Sequence, residues 1–428
     1  MVARVVTAPA DRCPGVLHAV SARDGLLLRI RVPGGALDAT QLHGLADAAE
    51  RCADGALDLT ARAGVQLRGV PAGALETLTA DLARLGLLPS PAHDRVRNVV
   101  ASPFAGCDPG ELLDARPVVR ELDRRLLADP ALAELPAKFA FAIDGGGRPF
   151  PHGRADLALV AVAHDGVAAF ALRVGGEPSG MAVAPERGAE ALIAGARAVL
   201  PHVDRTLTTP WRLDRCAGAR RAVLAALAPY GFRIVADPPR AAGDAIPLGV
   251  LAGAHADRVA LAPSVPLGRL RADQAHALAT LAAHSGASLR LTPWRTIVIV
   301  DLPRAALGDA RDALAAAGLE LDASDGYHGV AACAGSYGCS AALADVRGHA
   351  AQLAGRLAAR ETHGRRVNLA GCAKRCAMRR GAAVDLVAAE DGYVVLLGGV
   401  ETHRGLGAID AIERAVAAVS SLDSPENP

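Results

Sequence analysis

The stretch LDLTARAGVQLRGV (57–70) returns 232 residues further along as LRLTPWRTIVIVDL (289–302). A chain that carries one half-unit twice is restricted to folds built from two related halves. The strand-like runs GLLLRIRV (25–32) and DRVALAPS (257–264) precede the two copies. Helical patterns lie at about 38–52 and 272–285, and again at about 72–85 and 304–317. The later pair ends at Gly86 and Gly318, which suits a left-handed C-cap. Each copy therefore reads β-α-β-β-α, a split βαβ unit of the ferredoxin-like kind. The segment after each copy is longer and mixed. The expected class is α+β: two ferredoxin-like half-domains (1–90 and 241–322) alternate with two mixed α/β domains (91–240 and 323–428). A doubled plan of this kind places a site between its pseudo-symmetric halves.

At 428 residues the chain is too long for one core. Lys+Arg number 46 against 45 Asp+Glu, which argues against nucleic acid or a polybasic membrane surface as partner. Aromatic residues are 3%, too few for base-stacking platforms. No apolar run approaches the length of a membrane-spanning helix, and MVARVVTAPADRCPG lacks the pattern of a signal peptide. The expectation is a soluble, cytoplasmic protein without a membrane partner. Structural disulfides are rare in that compartment, so the eight cysteines read as free thiols or metal ligands.

Cys13, Cys52, Cys107 and Cys216 are scattered. The other four form a pattern: CAGSYGC holds Cys333 and Cys339, and GCAKRC holds Cys372 and Cys376. A cube-type four-iron cluster needs four thiolates converging from loops. Gly335, Gly338 and Gly371 let backbone amides come close to its sulfides. Ser340 is expected to cap a helix running to about Gly364, and the strand RRVNLA then returns to the second pair. Zinc also takes four thiolates, but its sites favour shorter spacings than the five residues between Cys333 and Cys339. Buried, unliganded cysteines are the plainest alternative.

C-x5-C followed by C-x3-C, behind two ferredoxin-like half-domains, resembles the sulfite and nitrite reductase superfamily. The resemblance spans nearly the whole chain and implies a [4Fe-4S] cluster on Cys333, Cys339, Cys372 and Cys376. In that family the last of these cysteines also touches the iron of sirohaem. Three family motifs that bind tetrapyrrole carboxylates match here: Thr60, Arg62 and Gln66; Arg97, Asn98 and Val99; and Leu135, Pro136, Lys138 and Phe139. Arg62, Gln66, Arg97, Asn98 and Lys138 are thereby the candidate carboxylate ligands, a task that Arg forks and Lys perform well. Ala140 stands where the third motif has a second lysine.

CPG (13–15), LPAKFAFAIDGGG (135–147), TPWR (292–295) and GCAKRCA (371–377) resemble the precorrin-3B synthase branch. That resemblance implies a monooxygenase that hydroxylates precorrin-3A at C20 and closes a lactone in aerobic cobalamin synthesis. It also implies O2 as co-substrate, an NADH-linked or ferredoxin-type electron donor, a monomer, and a mononuclear non-haem iron to which the sequence assigns no ligands. A sirohaem-dependent nitrite or sulfite reductase is the second reading. A cluster-bearing electron carrier is a third, disfavoured by the chain's size. DGGGRP (144–149) reads as a hairpin rather than a nucleotide loop. Asp144 and Arg148 could reach the site, Trp294 aligns with Arg62 between the repeats, and His328 and His363 read as structural.

Overall fold

The computed structural model describes residues 4–5, 13–151, 155–204, 211–234, 245–358, 360–379 and 381–421. In the first half-domain, strands β1 (His18–Ala22) and β2 (Gly25–Ile30) lead to helix α1 (Ala39–Cys52). Strands β3 (Ala56–Leu59) and β4 (Val65–Val70) and helix α2 (Leu75–Arg84) complete it. Along β2 the side chains alternate: Leu26, Leu28 and Ile30 enter the core, so Leu27 and Arg29 take the other face. The helices cover one face of the sheet and the basic residues stand on the other. Asp38 starts α1 with a capping box, accepting from Gln41 N at 2.7 Å while its own N–H donates to Gln41 Oε1.

The first α/β domain holds β5 (Val99–Ala101), α3 (Arg116–Ala128), β6 (Phe141–Asp144), β7 (Leu157–His164), β8 (Val167–Val174), β9 (Glu177–Val183), α4 (Gly188–Val199) and α5 (Ala217–Leu227). Strands β5, β6 and β7 pair in parallel, then β8 and β9 continue antiparallel. The second half-domain repeats the first with β10 (Gly249–Ala252), β11 (Arg258–Ala262), α6 (Ala272–Ser285), β12 (Ser288–Leu291), β13 (Ile297–Pro303) and α7 (Leu307–Ala316). The last domain has β14 (Val330–Ala332), α8 (Val346–Leu357), β15 (Val367–Ala370), β16 (Val384–Ala389), β17 (Gly392–Leu397), β18 (Val400–Leu406) and α9 (Ala408–Ser420). Its strands copy the plan of the first α/β domain, with β14, β15 and β16 parallel and β17 and β18 antiparallel.

The repeat holds at the level of single hydrogen bonds. Thr60 N donates to Gly64 O at 3.0 Å and Ala63 N to Thr60 O at 3.0 Å; Thr292 N donates to Thr296 O at 2.9 Å and Arg295 N to Thr292 O at 3.1 Å. Gly86 and Gly318 both end their helices with positive φ. The half-domains also exchange short strands. Ala36–Leu37 pairs with β12, and Arg269–Arg271 pairs with β3. Helices α1 and α6 pack together, and one hydrophobic core runs through both half-domains, from Leu42 and Leu45 to Leu278 and Ala279. His43 and His276 meet where these helices cross, their Nδ1 atoms 2.8 Å apart.

Two local expectations are corrected. The helix expected from Ser340 starts at Val346, capped by Asp345, which accepts from Gly348 N at 3.0 Å. Residues before it belong to the cysteine loop: Ala342 N donates to Cys339 O and Leu343 N to Gly371 O. DGGGRP is not a hairpin, because the strand after β6 is its parallel neighbour β7. That loop folds back instead, with Leu112 N and Leu113 N on Gly145 O and Arg148 N on Asp108 Oδ2.

The strand exchange relies on close backbone approach at Gly35, whose φ is +68° and where an added Cβ would sit 2.2 Å from Leu291 O. Gly86 has φ +72° and open space around it. Gly86→Ala is expected to lose about 1 kcal/mol, the ordinary left-handed penalty. Gly35→Ala should lose clearly more, read as a larger drop in urea midpoint; equal drops would mean the exchanged strand is not tightly seated.

Candidate cluster site and the cation group beside it

Parallel strands β14 and β15 end side by side, and the cysteines sit at or beyond those ends. Cys333 comes directly after β14, and Cys372 lies two residues past the end of β15. Cys339 closes a single helical turn, Gly335–Gly338, by donating its N–H to Gly335 O at 2.9 Å. Gly371 N donates to Cys333 Sγ at 3.2 Å, the kind of amide-to-sulfur bond that steadies a cluster thiolate. In the second loop Arg375 reaches back to Asp385 on β16 at 3.0 Å, and Asn368 on β15 donates to the same carboxylate at 2.6 Å. Burial pushes the Cys376 thiol up; Cys333 adds to this, Arg379 opposes it, and Cys372 and Cys339 add further. All four sulfurs thus share one electrostatic environment.

Four thiolates about 2.3 Å from one zinc would lie less than about 4 Å apart. Among the described residues no three of these sulfurs come within 4.8 Å of one another. That is not a closed zinc site, whereas a cube holds its cysteines on separate irons and so does not require them to touch.

Beside the cysteines stands a group of cations drawn from every part of the chain. Burial lowers the pKa of Arg29, with Cys13 opposing and Arg295 adding to the shift. Arg31 is brought down to about 9 by burial and by Arg29 and Arg62. Arg62 is brought down to about 10 by burial, then by Arg29 and Arg212. Lys138 is lowered by burial, and Arg379, Arg62 and Arg29 also press on it. Arg62 Nη2 and Arg212 Nη1 converge on Lys138 O, at 2.8 and 2.9 Å. Arg295 Nη2 donates to Cys376 O at 3.3 Å, which joins this group to the second cysteine loop. Next to that loop, Ala373, Lys374, Arg375 and Arg379 line an open hollow of about 400 Å³.

The residues expected to grip carboxylates divide. Arg62 and Lys138 belong to the cation group. Gln66 supports it, its Oε1 accepting from Arg29 Nε at 3.1 Å. Arg97 does not serve there: its Nε and Nη2 are spent on Asp123, at 2.7 and 2.8 Å, and it is buried. Asn98 is also structural. Its Oδ1 accepts from Arg31 Nε, and its Nδ2 faces the carbonyls of Arg95, Ala137 and Phe139. Asn98 thus braces the Lys138 loop, while Arg97 is engaged with α3. Sequence reasoning missed Arg29, Arg31, Arg212 and Asp156. Asp156 is 1% exposed and ties Arg212, at 3.3 Å, to Ala140 N and Leu213 N. Only the alternation along GLLLRIRV signalled Arg29. Cys13, taken as one of four scattered cysteines, is buried within electrostatic reach of Arg29, Arg31, Arg62 and Lys138.

Other candidates lie elsewhere. Arg148 stacks over Phe104 and pairs with Asp108, and Asp144 is fully buried, accepting from Gly146 N. His328 and His363 line a separate hollow of about 340 Å³. Asp47, Glu50 and His276 are the described group with ligand atoms near enough to share a metal ion. They sit on α1 and α6, across the sheet from the cations, and their ion pairs at 3.5 and 3.9 Å account for them. The described residues therefore offer no ready ligand set for a mononuclear iron beside the cation group.

The chain belongs to the nitrite and sulfite reductase superfamily: the nitrite/sulfite reductase ferredoxin-like half domain matches residues 20–85 and 253–317, and the nitrite and sulphite reductase 4Fe-4S domain matches 92–222. The cysteines lie outside that match, among the C-terminal strands that repeat the same parallel and antiparallel plan. Among known proteins, the chain is 28% identical to a precorrin-3B synthase from Sinorhizobium, over 90% of this chain and 82% of that protein. It is also 28% identical to a ferredoxin–nitrite reductase from Synechococcus elongatus, over 94% and 84%. The solved structure of Mycobacterium tuberculosis NirA shares the fold, with a TM-score of 0.80 at 24% identity, covering 92% of this chain and 80% of that one.

Arg62→Ala is expected to weaken binding of a polycarboxylate porphyrin about ten- to a hundredfold, one charge-assisted bond being worth roughly 1.5–3 kcal/mol; Arg97→Ala should lower the thermal midpoint and leave that affinity within about threefold. Equal losses of affinity, measured by fluorescence quenching, would restore Arg97 to the ligand. Bound carboxylates favour charged arginine, so affinity should hold below the free-protein pKa of Arg62, about 10, and fall as pH rises through it. A flat profile to pH values well above that would show that Arg62 keeps its charge in the free protein.

Proposed function

We propose that the chain binds a tetrapyrrole polycarboxylate beside a [4Fe-4S] cluster held by Cys333, Cys339, Cys372 and Cys376, and that the tetrapyrrole is the substrate. The reaction is that of a precorrin-3B synthase: one oxygen atom of O2 enters C20 of precorrin-3A, a lactone closes, and the other oxygen leaves as water with two electrons and two protons from a donor. The cluster, when bound, supplies single electrons. The chain's own residues do the rest. Arg29, Arg62 and Lys138 hold carboxylates, Arg212 and Asp156 fix the Lys138 loop, and Arg295 anchors the Cys376 loop against the same group. No step is routed through a mononuclear iron, because no ligand set for one stands there among the described residues.

The observation that carries this reading is Ala140, 5% exposed with its N–H given to Asp156 Oδ2, where the reductase motif has a second lysine. A reductase needs donors that neutralise a small bound oxyanion, and loss of one such donor costs about a hundred- to a thousandfold in rate. A specific observation also favours the second reading. Arg212 pairs with Asp156, the carboxylate that also accepts from Ala140 N, and so brings a guanidinium group near the position that Ala140 leaves uncharged. A sirohaem-dependent nitrite or sulfite reductase would use it on its oxyanion.

Extraction of cofactors from anaerobically purified protein separates the two. The proposal expects iron and sulfide without sirohaem, and transfer of label from oxygen gas into a hydroxylated, lactonised product of precorrin-3A. Stoichiometric sirohaem with rapid reduction of nitrite or sulfite would contradict it and establish the reductase.

A further inference from the structure

Arg68 on β4 is a buried cation to which neither the carboxylate site nor the cysteine ligands assign a task. Its residue is 7% exposed. Nε donates to Asp24 Oδ2 at 2.9 Å and Nη2 to Asp24 Oδ1 at 3.1 Å, a planar fork on a carboxylate whose side chain is itself 4% exposed. Asp24 lies in the turn between β1 and β2. The same Nη2 also donates to the carbonyl of Gly338, in the loop between Cys333 and Cys339. An arginine of the first half-domain is thus bonded to the cluster loop 270 residues away.

That carbonyl belongs to the peptide whose N–H is the N–H of Cys339, and this N–H donates to Gly335 O at 2.9 Å. Both ends of one peptide plane are therefore held, the oxygen by Arg68 and the nitrogen by Gly335. The plane fixes where the Cys339 side chain leaves the backbone. The contact has no slack. A Cβ added at Gly338 would lie 2.6 Å from Arg68 Nη2 and 2.7 Å from Asp24 Oδ2. Only a planar, forked cation can hold both oxygens of Asp24 and turn a remaining N–H to a third acceptor.

We infer that Arg68 and Asp24 are positioning residues for the iron–sulfur cluster: together they hold the Gly338–Cys339 peptide so that Cys339 keeps its iron. They also place a balanced pair of charges beside the cluster. Outer partners of this kind change metal retention by about ten- to a hundredfold when removed. The charge balance gives the pair a signature of its own. Losing the cation leaves Asp24 negative, which disfavours adding an electron to the cluster and lowers its reduction potential. Losing the anion leaves Arg68 positive and raises it.

This inference rests on the cluster reading, and the experiment keeps the two apart. The full chain is reconstituted anaerobically as wild type, Arg68→Gln, Arg68→Lys, Asp24→Asn and Gly338→Ala. Iron and sulfide content, bleaching under a chelator, midpoint potential and the electron paramagnetic resonance of the reduced state are recorded. A wild type that takes up no iron and sulfide overturns the cluster itself. With a loaded wild type, Arg68→Gln should bleach about ten- to a hundredfold faster and shift to lower potential, and Asp24→Asn should shift higher. Arg68→Lys, which keeps the charge but not the fork, should bleach faster at a nearly unchanged potential. If Arg68→Gln does not fold, Gly338→Ala decides, since it leaves both partners present but forces the guanidinium off the carbonyl. Faster bleaching there supports the assignment. Wild-type bleaching, potential and spectra in the folded variants overturn it.

Discussion

Basic side chains gathered away from water lose hydration and repel one another. Arg29, Arg31, Arg62 and Lys138 show both effects, each with its pKa lowered first by burial and then by its neighbours. Asp94 and Asp156 offset part of that repulsion at Arg31 and Arg62. A group in this state is prepared for an anionic ligand, which restores what burial removed. The rest of the molecule reads as the frame that keeps these charges together. The first half-domain supplies Arg29, Arg31 and Arg62, the first α/β domain Lys138 and Arg212, the second half-domain Arg295, and the last domain Arg379.

The repeat explains how one frame builds a one-sided site. The turns at 60–64 and 292–296 have the same hydrogen bonds, and Ala63 and Arg295 occupy the same left-handed position. Arg62 has Trp294 as its counterpart, so the second copy offers its cation one residue later. A positive φ is uncommon for arginine, and here it brings the side chain to Cys376 O. Symmetry lives in the backbone and the shared core. The difference lies in the substitutions that break it: one half-domain's sheet carries the cations Arg29, Arg31 and Arg62, while the matching sheet of the other packs Val298 and Val300 against Phe104 and Cys107.

The sequence made the architecture legible because its signals were local. The repeated segments 57–70 and 289–302, the strand-like runs before them and the helix-ending glycines each act over a few residues. The strand exchange through Ala36–Leu37 and Arg269–Arg271 was hidden, since two- and three-residue strands carry no periodicity. The cysteine spacing was legible for the same local reason. In the R-N-V motif, residue type says a cation is present but not what neutralises it. Asp123 lies on α3, 26 residues from Arg97, and takes that charge. That Cys13, Arg212 and Asp156 stand beside the cations was hidden, because they meet there only through tertiary packing. Ser340 looked like a helix cap, yet the chain uses 340–345 to close the cysteine loop and gives the cap to Asp345.

The proposed chemistry depends on the two cysteine loops forming one iron site next to the cations. Anomalous diffraction at the iron edge, from crystals grown without oxygen, tests this most directly. The expected result is one compact four-iron peak bonded to the sulfurs of Cys333, Cys339, Cys372 and Cys376, on the side facing Arg295 and Arg379. A single-atom peak, a signal at the zinc edge, or iron bound away from these four sulfurs would contradict it.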